Sequence, residues 1–276
     1  MDAHELLRLA DHGPDTYVGG GPQYPWGGLY GGQIVAQALR AAAATVDGEL
    51  AVHSLRAYFI RRGDHAEPVR YEVDRIRNGR TFCTRRVVAR QAIGAILNLE
   101  ASFQLAEPSD DIQTIPAPVD LPAPENLLSD SWTTLFERRT VAARHFPAEP
   151  RTGAGRFAAW MRATDELGDD PLMHACMLAY MSDDLPTDAV VRAHPIGQET
   201  GLDKDNTLFV ASLDHTIWFH RPGRADDWNL HEFACHNFVG GRGLSIGHVF
   251  AVDGTHVATI AQEVLMRDRR AHGETR

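Results

Sequence analysis

The sequence predicts an α+β protein built from two tandem units, each an antiparallel sheet wrapped round its own helix, with the two sheets joined at their edges into one. Three observations carry this. The segment from Pro171 to Pro186, PLMHACMLAYMSDDLP, is apolar on nearly every face, as a helix enclosed by other protein must be. A second such segment, residues 32–48, precedes four strand-like stretches, and the same order of helix then strands returns in the second half. The pairs Phe59 and Phe219, 160 residues apart, and Arg80 and Arg242, 162 apart, mark the repeat: Tyr58 to Arg61 reads YFIR where Trp218 to Arg221 reads WFHR, and both arginines follow a glycine.

Taken in order, the chain opens with a short polar lead and a glycine-rich loop, Gly19 to Gly32. In the helix that follows, the polar residues Gln33, Gln37 and Arg40 form one narrow stripe, while Ile34, Val35, Leu39 and a run of alanines cover the rest. Asp47 and Gly48 stop it. The period then becomes two: strands are predicted over 51–61, 69–74, 81–90 and 97–104, and the turns at Arg62–Asp64 and Asn78–Gly79 are tight enough for antiparallel hairpins. Prolines at 108, 116, 118, 122 and 124 mark a linker or crossover, with a short helix expected around Ser129 to Arg144. A strand at Arg156 to Arg162 leads into the buried helix, which Asp169 or Asp170 can cap, Pro171 can start and Pro186 can end. Strands over 208–221, 229–238, 244–252 and 256–266 complete the second unit. The expected division is an N-terminal unit over 1–107, a proline-rich crossover over 108–150 and a C-terminal unit over 151–276.

The chain has 276 residues, 43% of them hydrophobic, enough for a substantial core. A formal charge of -10 argues against nucleic-acid binding, since phosphates would be repelled. Arg75, Arg77, Arg80, Arg85 and Arg86 could still meet a small anion, although a solvated strand face explains them as well. Neither a signal peptide nor a run of about 18 apolar residues is visible, and the final GETR is no organelle address, so a cytoplasmic protein without a membrane segment is expected. Three distant cysteines, Cys83, Cys176 and Cys235, fit free buried thiols better than disulfides.

Several motifs fail on context. Gly243 to Gly247 spells G-x-S-x-G, but a strand-like segment follows where a hydrolase elbow needs a helix. His231 and His236 are five apart rather than the four of a zinc helix, and on a strand they point to opposite faces. No metal ligand set of defensible spacing occurs among the 14 histidines, and the glycine loop lacks the lysine of a nucleotide-phosphate loop. No cofactor is expected.

One anomaly points to chemistry. Asp183 and Asp184 sit in the last turn of the buried helix, at the negative end of its dipole, where each carboxylate is disfavoured by ~0.3 to 1 kcal/mol. They are either exposed turn residues or acids kept for a purpose.

Four segments resemble the acyl-CoA thioesterase II family: Tyr30 to Leu39 (YGGQIVAQAL), Val52 to Phe59 (VHSLRAYF), Val210 to Pro222 (VASLDHTIWFHRP) and Val257 to Arg267 (VATIAQEVLMR). They occur in the family's order at fitting distances. The resemblance implies a double hotdog fold and three catalytic positions. Tyr180 to Asp183 matches the family's Tyr-x-Ser-Asp, which favours Asp183 over Asp184; the hydroxyl residue two before Asp214 and His215 is Ser212; the glutamine of the last strand is Gln262. Asp183 would take a proton from a water aimed at the thioester carbon, and Ser212 and Gln262 would orient that water. Backbone N–H groups at Gly31, Gly32 and Gln33 are the candidates for holding the oxyanion, and antiparallel packing of the two helices would bring Asp183 near Gly32.

The expected activity is hydrolysis of fatty acyl-CoA to free acid and CoA by a homodimer or higher homo-oligomer, as family members commonly assemble. The apolar tunnel would run between helix and sheet, and arginines would meet the CoA phosphates. The alternatives are an acyl-CoA binding or sensing protein without turnover, and a hotdog enoyl-CoA hydratase, for which His53 and Asp64 are the one available acid–imidazole pair.

Overall fold

A computed structural model describes residues 1–146, 155–200 and 208–269, and the backbone alone for 198–200. In chain order the elements are α1 (Ala3–Leu6), β1 (Ala10–Asp11), β2 (Thr16–Gly19), α2 (Gly31–Ala43), β3 (Leu50–Phe59), β4 (Val69–Asn78), β5 (Phe82–Gln91), β6 (Gly94–Leu105), β7 (Phe136–Val141), β8 (Arg156–Ala163), α3 (Pro171–Ser182), α4 (Pro186–Ala193), α5 (Pro195–Thr200), β9 (Leu208–Ser212), β10 (Asp214–Phe219), β11 (Asn229–Val239), β12 (Arg242–Ala251) and β13 (His256–Asp268). The strands form one 13-stranded antiparallel sheet in the order β1-β2-β4-β5-β6-β3-β10-β13-β12-β11-β8-β7, with β9 also on β13. This is the α+β double hotdog expected, with one continuous sheet.

The seam is the β3–β10 pair, and its register is self-complementary: Arg56 faces Thr216, its own counterpart 160 residues on, and Arg56 Nε donates to Thr216 Oγ1 (3.2 Å). The two halves therefore meet about a two-fold axis at that pair, which leaves neither inner edge open. Each half also carries the same irregularity. β3 bulges between Val52 and Ser54 against β6, and the second half breaks between β9 and β10 at Leu213, the position 160 residues further on.

α2 packs against β3, β4, β5 and β6 of the first half and against α3. α3 is capped by Asp170, whose side chain accepts from Leu172 N–H (3.0 Å), and starts at Pro171. Asp169 instead pairs with Arg224 (3.2 Å). From Met173 onward α3 is buried save for Ala175, and it packs against α2, whose alanines allow the close approach. α3 ends at Ser182, short of Pro186, which instead starts α4, since a proline is accommodated at a first helical turn.

Two expectations are corrected. Residues 129–144 hold a strand, β7, and a single 3-10 turn rather than a helix: Phe136, Thr140 and Val141 are strand formers, and β8 supplies an edge for them to pair with. The expected strand over 208–221 is two strands interrupted at Leu213, whose N–H bonds Glu263 O (2.8 Å) and whose carbonyl accepts from Phe59 N–H (3.0 Å). Three of the five clustered arginines are committed internally. Arg75 binds Asp15 (2.8 Å), Arg86 binds Asp74 (2.7 Å), and Arg85 is buried, donating to Thr45 just past the end of α2 (2.7 and 2.9 Å). Cys83, Cys176 and Cys235 are free and buried, and Ser245 of the G-x-S-x-G motif lies inside β12. No helix among the described residues is long and apolar enough to cross a membrane.

Candidate active site

The C-terminal end of α3 meets the N-terminal end of α2. Carbon atoms could hardly approach more closely: a Cβ on Gly32 would stand 2.2 Å from the Tyr180 carbonyl oxygen, and one on Gly31 would stand 2.5 Å from Asp183 Oδ2. Glycine is needed at both positions for that approach. The first-turn N–H groups of a helix have no partner within it, and the cap residue of α2, Tyr30, offers no side-chain bond. Asp183 fills the gap, accepting from Gly32 N–H. The acid at the wrong end of its own helix is thus at the right end of its neighbour's.

Ser212 and Gln262 converge on the same carboxylate. Ser212 Oγ donates to Asp183 Oδ1 (3.0 Å), and Gln262 Nε2 donates to Ser212 Oγ (2.8 Å). The three candidates, separated by up to 79 residues, form one hydrogen-bonded group with Gly32. Asp183 is 6% exposed, and burial pushes its carboxyl up to about 7, against the bonds from Ser212, Gln262 and Gly32 that favour its charged form. A carboxylate poised there can take a proton near neutrality and return it.

Gln33 is also buried, but its side chain turns elsewhere, accepting from Tyr24 O–H (2.7 Å) and donating to Gln37 (3.4 Å). Only its backbone N–H, one position past Gly32, lies at the helix start. His53 and Asp64 take separate partners: His53 Nε2 bonds Ser102 Oγ (2.8 Å), and Asp64 accepts from Ala66 N–H (2.9 Å).

Two residues missing from the candidate set belong to the group, Ser182 and His215. His215 is fully buried, with Nδ1 2.5 Å from Gln262 Oε1 and Nε2 2.8 Å from Ser182 Oγ. In an unbroken strand Ser212 and His215, three apart, would face opposite sides. The one-residue slip at Leu213 changes the phase: Ser212 faces Val264, whereas Thr216 faces Ala261, so Ser212 and His215 both point inward. No proline or glycine marks that slip in the sequence.

Asp184 is separate. It accepts from Trp132 Nε1 (2.6 Å) and pairs with Arg138 (2.9 Å), which ties the crossover to the end of α3. Trp132 lies edge-on to Tyr30 (5.0 Å between ring centres) and Phe136 (5.3 Å). A cavity of about 610 Å³ opens beside it, between residues 22–25 and 131–135 and lined by Tyr24, Pro25, Trp132, Thr133 and Leu135 among others.

Comparison with known proteins gives a consistent answer. The acyl-CoA thioesterase N-terminal domain family matches residues 22–104, and the acyl-CoA thioesterase C-terminal domain family matches residues 110–266. Acyl-coenzyme A thioesterase 8 of Rattus norvegicus is 36% identical over 90% of this chain and 83% of its own length. Acyl-CoA thioesterase 2 of Haemophilus influenzae is 36% identical over 87% of each. The crystal structure of an acyl-CoA thioesterase II, TesB2, from Mycobacterium marinum superposes with a TM-score of 0.84 at 36% identity, covering 96% of this chain and 98% of that one.

Proposed function

The chain belongs to the acyl-CoA thioesterase II family and is a thioester hydrolase, and we propose that it cleaves fatty acyl-CoA by direct attack of a water that Asp183 activates. The observation that carries this reading is the ring of donors round Asp183: Ser212 and, through Ser212, Gln262, with Gly32 N–H behind, on a buried acid raised to about 7. Asp183 takes the proton of the water, whose oxygen bonds the thioester carbon; the C–S bond then breaks, and the proton passes to the departing thiolate. The products are the free acid and CoA, and no acyl-enzyme is formed.

The developing oxyanion is assigned to the backbone N–H groups that flank Gly32 at the start of α2, with Gln33 contributing its main chain only. The cavity beside Trp132 is the route for the acyl chain, in place of a tunnel between helix and sheet, because that interface is filled by buried side chains. We divide the chain at 1–107, 108–150 and 151–276 and assign it to a homodimer or higher homo-oligomer in the cytoplasm.

The test is thiol release from acyl-CoAs of graded chain length by the native enzyme and by Asp183→Asn. Loss of turnover in the variant with retained acyl-CoA binding supports the assignment. Turnover that persists in Asp183→Asn rules out Asp183 as base.

A further inference from the structure

Ser182 and Asp183 are consecutive, yet a path of side-chain hydrogen bonds leaves one and returns at the other. Ser182 Oγ meets His215 Nε2 at 2.8 Å, His215 Nδ1 meets Gln262 Oε1 at 2.5 Å, Gln262 Nε2 meets Ser212 Oγ at 2.8 Å, and Ser212 Oγ meets Asp183 Oδ1 at 3.0 Å. The loop passes through α3, β10, β13 and β9, and all of its members save Ser212 are buried. On the reading of Asp183 as the base, we propose that His215 is a positioning residue: in its Nδ1–H form it holds the Gln262 carbonyl and so keeps the Gln262 amide N–H directed at Ser212.

The ionised carboxylate at one end outweighs the neutral Ala179 carbonyl that Ser182 Oγ meets at the other (3.0 Å), and so sets the direction of every proton. An ionised Asp183 only accepts, so the single proton of Ser212 points to it. Ser212 Oγ is then an acceptor, and the Gln262 group that faces it must be the amide N–H. The amide oxygen is left facing His215 Nδ1, which must carry a hydrogen. His215 Nε2 is then bare and accepts the single proton of Ser182 Oγ, drawing it from the Ala179 carbonyl that lies 3.0 Å away. Were the amide reversed, its oxygen and the carboxylate would compete for the one proton of Ser212, and Asp183 would lose a donor. Gln262 cannot choose between these orientations by shape, because its oxygen and nitrogen are nearly equal in size. A fixed donor behind it makes the choice, and His215 is that donor. Burial pushes His215 down to about 4, which keeps the ring neutral and able to present one donor and one acceptor.

His215 does not reach the reacting atoms, since both its nitrogens are engaged behind Gln262. Its loss therefore acts through orientation and appears in kcat rather than in KM. Two amide replacements separate the nitrogens. The shorter amide of His215→Asn places its N–H where Nδ1 stood, whereas that of His215→Gln reaches toward the Nε2 position and leaves the Gln262 carbonyl without its donor. His215→Gln is expected to lose kcat by roughly 10- to 100-fold with KM little changed, and His215→Asn to retain roughly tenfold more kcat than His215→Gln. A packing role alone would make the two equal or order them by volume.

Long-range proton–nitrogen correlation spectra of the native enzyme read the ring without any substitution. A neutral imidazole protonated at Nδ1 supports the assignment; protonation at Nε2, or a doubly protonated ring at pH 7, overturns it, as do equal kcat values for the two variants. Asp183→Asn assayed alongside keeps the cases apart. If that variant turns over, the reading of the base fails, whereas an inactive Asp183→Asn with equal His215 variants refutes the role of His215 alone.

Discussion

Asp184 and Arg138 form a part-buried ion pair 2.9 Å long, although Asp184 is the immediate neighbour of the acid assigned to catalysis. Trp132 Nε1 and Arg138 both donate to its carboxylate, which anchors the crossover to the end of α3. Adjacent acids on one helix end thus have opposite surroundings. Asp183 faces neutral donors and the start of α2, whereas Asp184 faces a guanidinium and an indole.

Asp183→Asn is expected to reduce kcat at least ~100-fold, the scale of losing a general base, with the fold intact. Asp184→Ala is expected to destabilise the protein by about 1 to 3 kcal/mol, because Trp132 loses its acceptor and Arg138 keeps only Asp130. Steady-state thiol release and denaturant unfolding on the same two proteins would measure this; a stable, fully folded Asp184→Ala would contradict the anchoring role.

The pH profile follows from the raised Asp183. The base must be ionised, so kcat/KM should rise with pH through an apparent pKa of about 7 and level off above it. Stability runs the other way. The folded pKa lies above the usual carboxylate value, so this group's contribution is most favourable at acid pH and is lost as pH rises from about 4 to about 7. Asp183→Asn should therefore gain stability over the native enzyme at pH 8, on the order of 4 kcal/mol, and lose that advantage toward pH 4. Differential melting of the pair across pH 4 to 8 gives the curve.

Gly32→Ala inserts a carbon 2.2 Å from the Tyr180 carbonyl, so α2 must retreat from α3. The expected cost is about 1 to 3 kcal/mol of stability, with a fall in kcat larger than the rise in KM as Gly32 N–H leaves Asp183. A crystal structure or helix–helix distance measurement showing no displacement, with full activity, would refute the close-approach requirement.

Arg85→Met removes the donors that Thr45 and the Arg77 carbonyl accept from. It should lower stability by about 1 to 3 kcal/mol and leave KM for acyl-CoA unchanged, because the side chain is spent on the end of α2 and not on phosphate. A selective rise in KM with unaltered stability would restore the anion-binding alternative.

Much of this is legible in the sequence. The two long helices, α2 and α3, and nearly all the long strands follow from periodicity, whereas α4 does not, and Asp183 stands out because a carboxylate at a buried helix end violates the dipole preference. What cannot be read is anything that depends on breaking the period. The slip at Leu213 carries no turn residue, so Ser212 and His215 read as lying on opposite faces. Prolines between 108 and 124 obscure β7, whose pairing partner β8 lies well along the chain. Arg138 reads as one more linker charge, since only the fold brings it to Asp184.

The seam at Arg56 and Thr216 makes the halves superimposable, and the matched irregularities make the comparison residue by residue. Ser212, His215 and Gln262 fall on Val52, Leu55 and Ala101 of the first half, none of which has a side chain that can donate or accept a hydrogen bond. On the reading of Asp183 as the base, duplication has been followed by division of labour: one half lends the start of α2, the other the side chains assigned to catalysis. The chain counts as two folds but one catalytic centre, and a tight non-hydrolysable acyl-CoA analogue should titrate its activity at one equivalent per polypeptide.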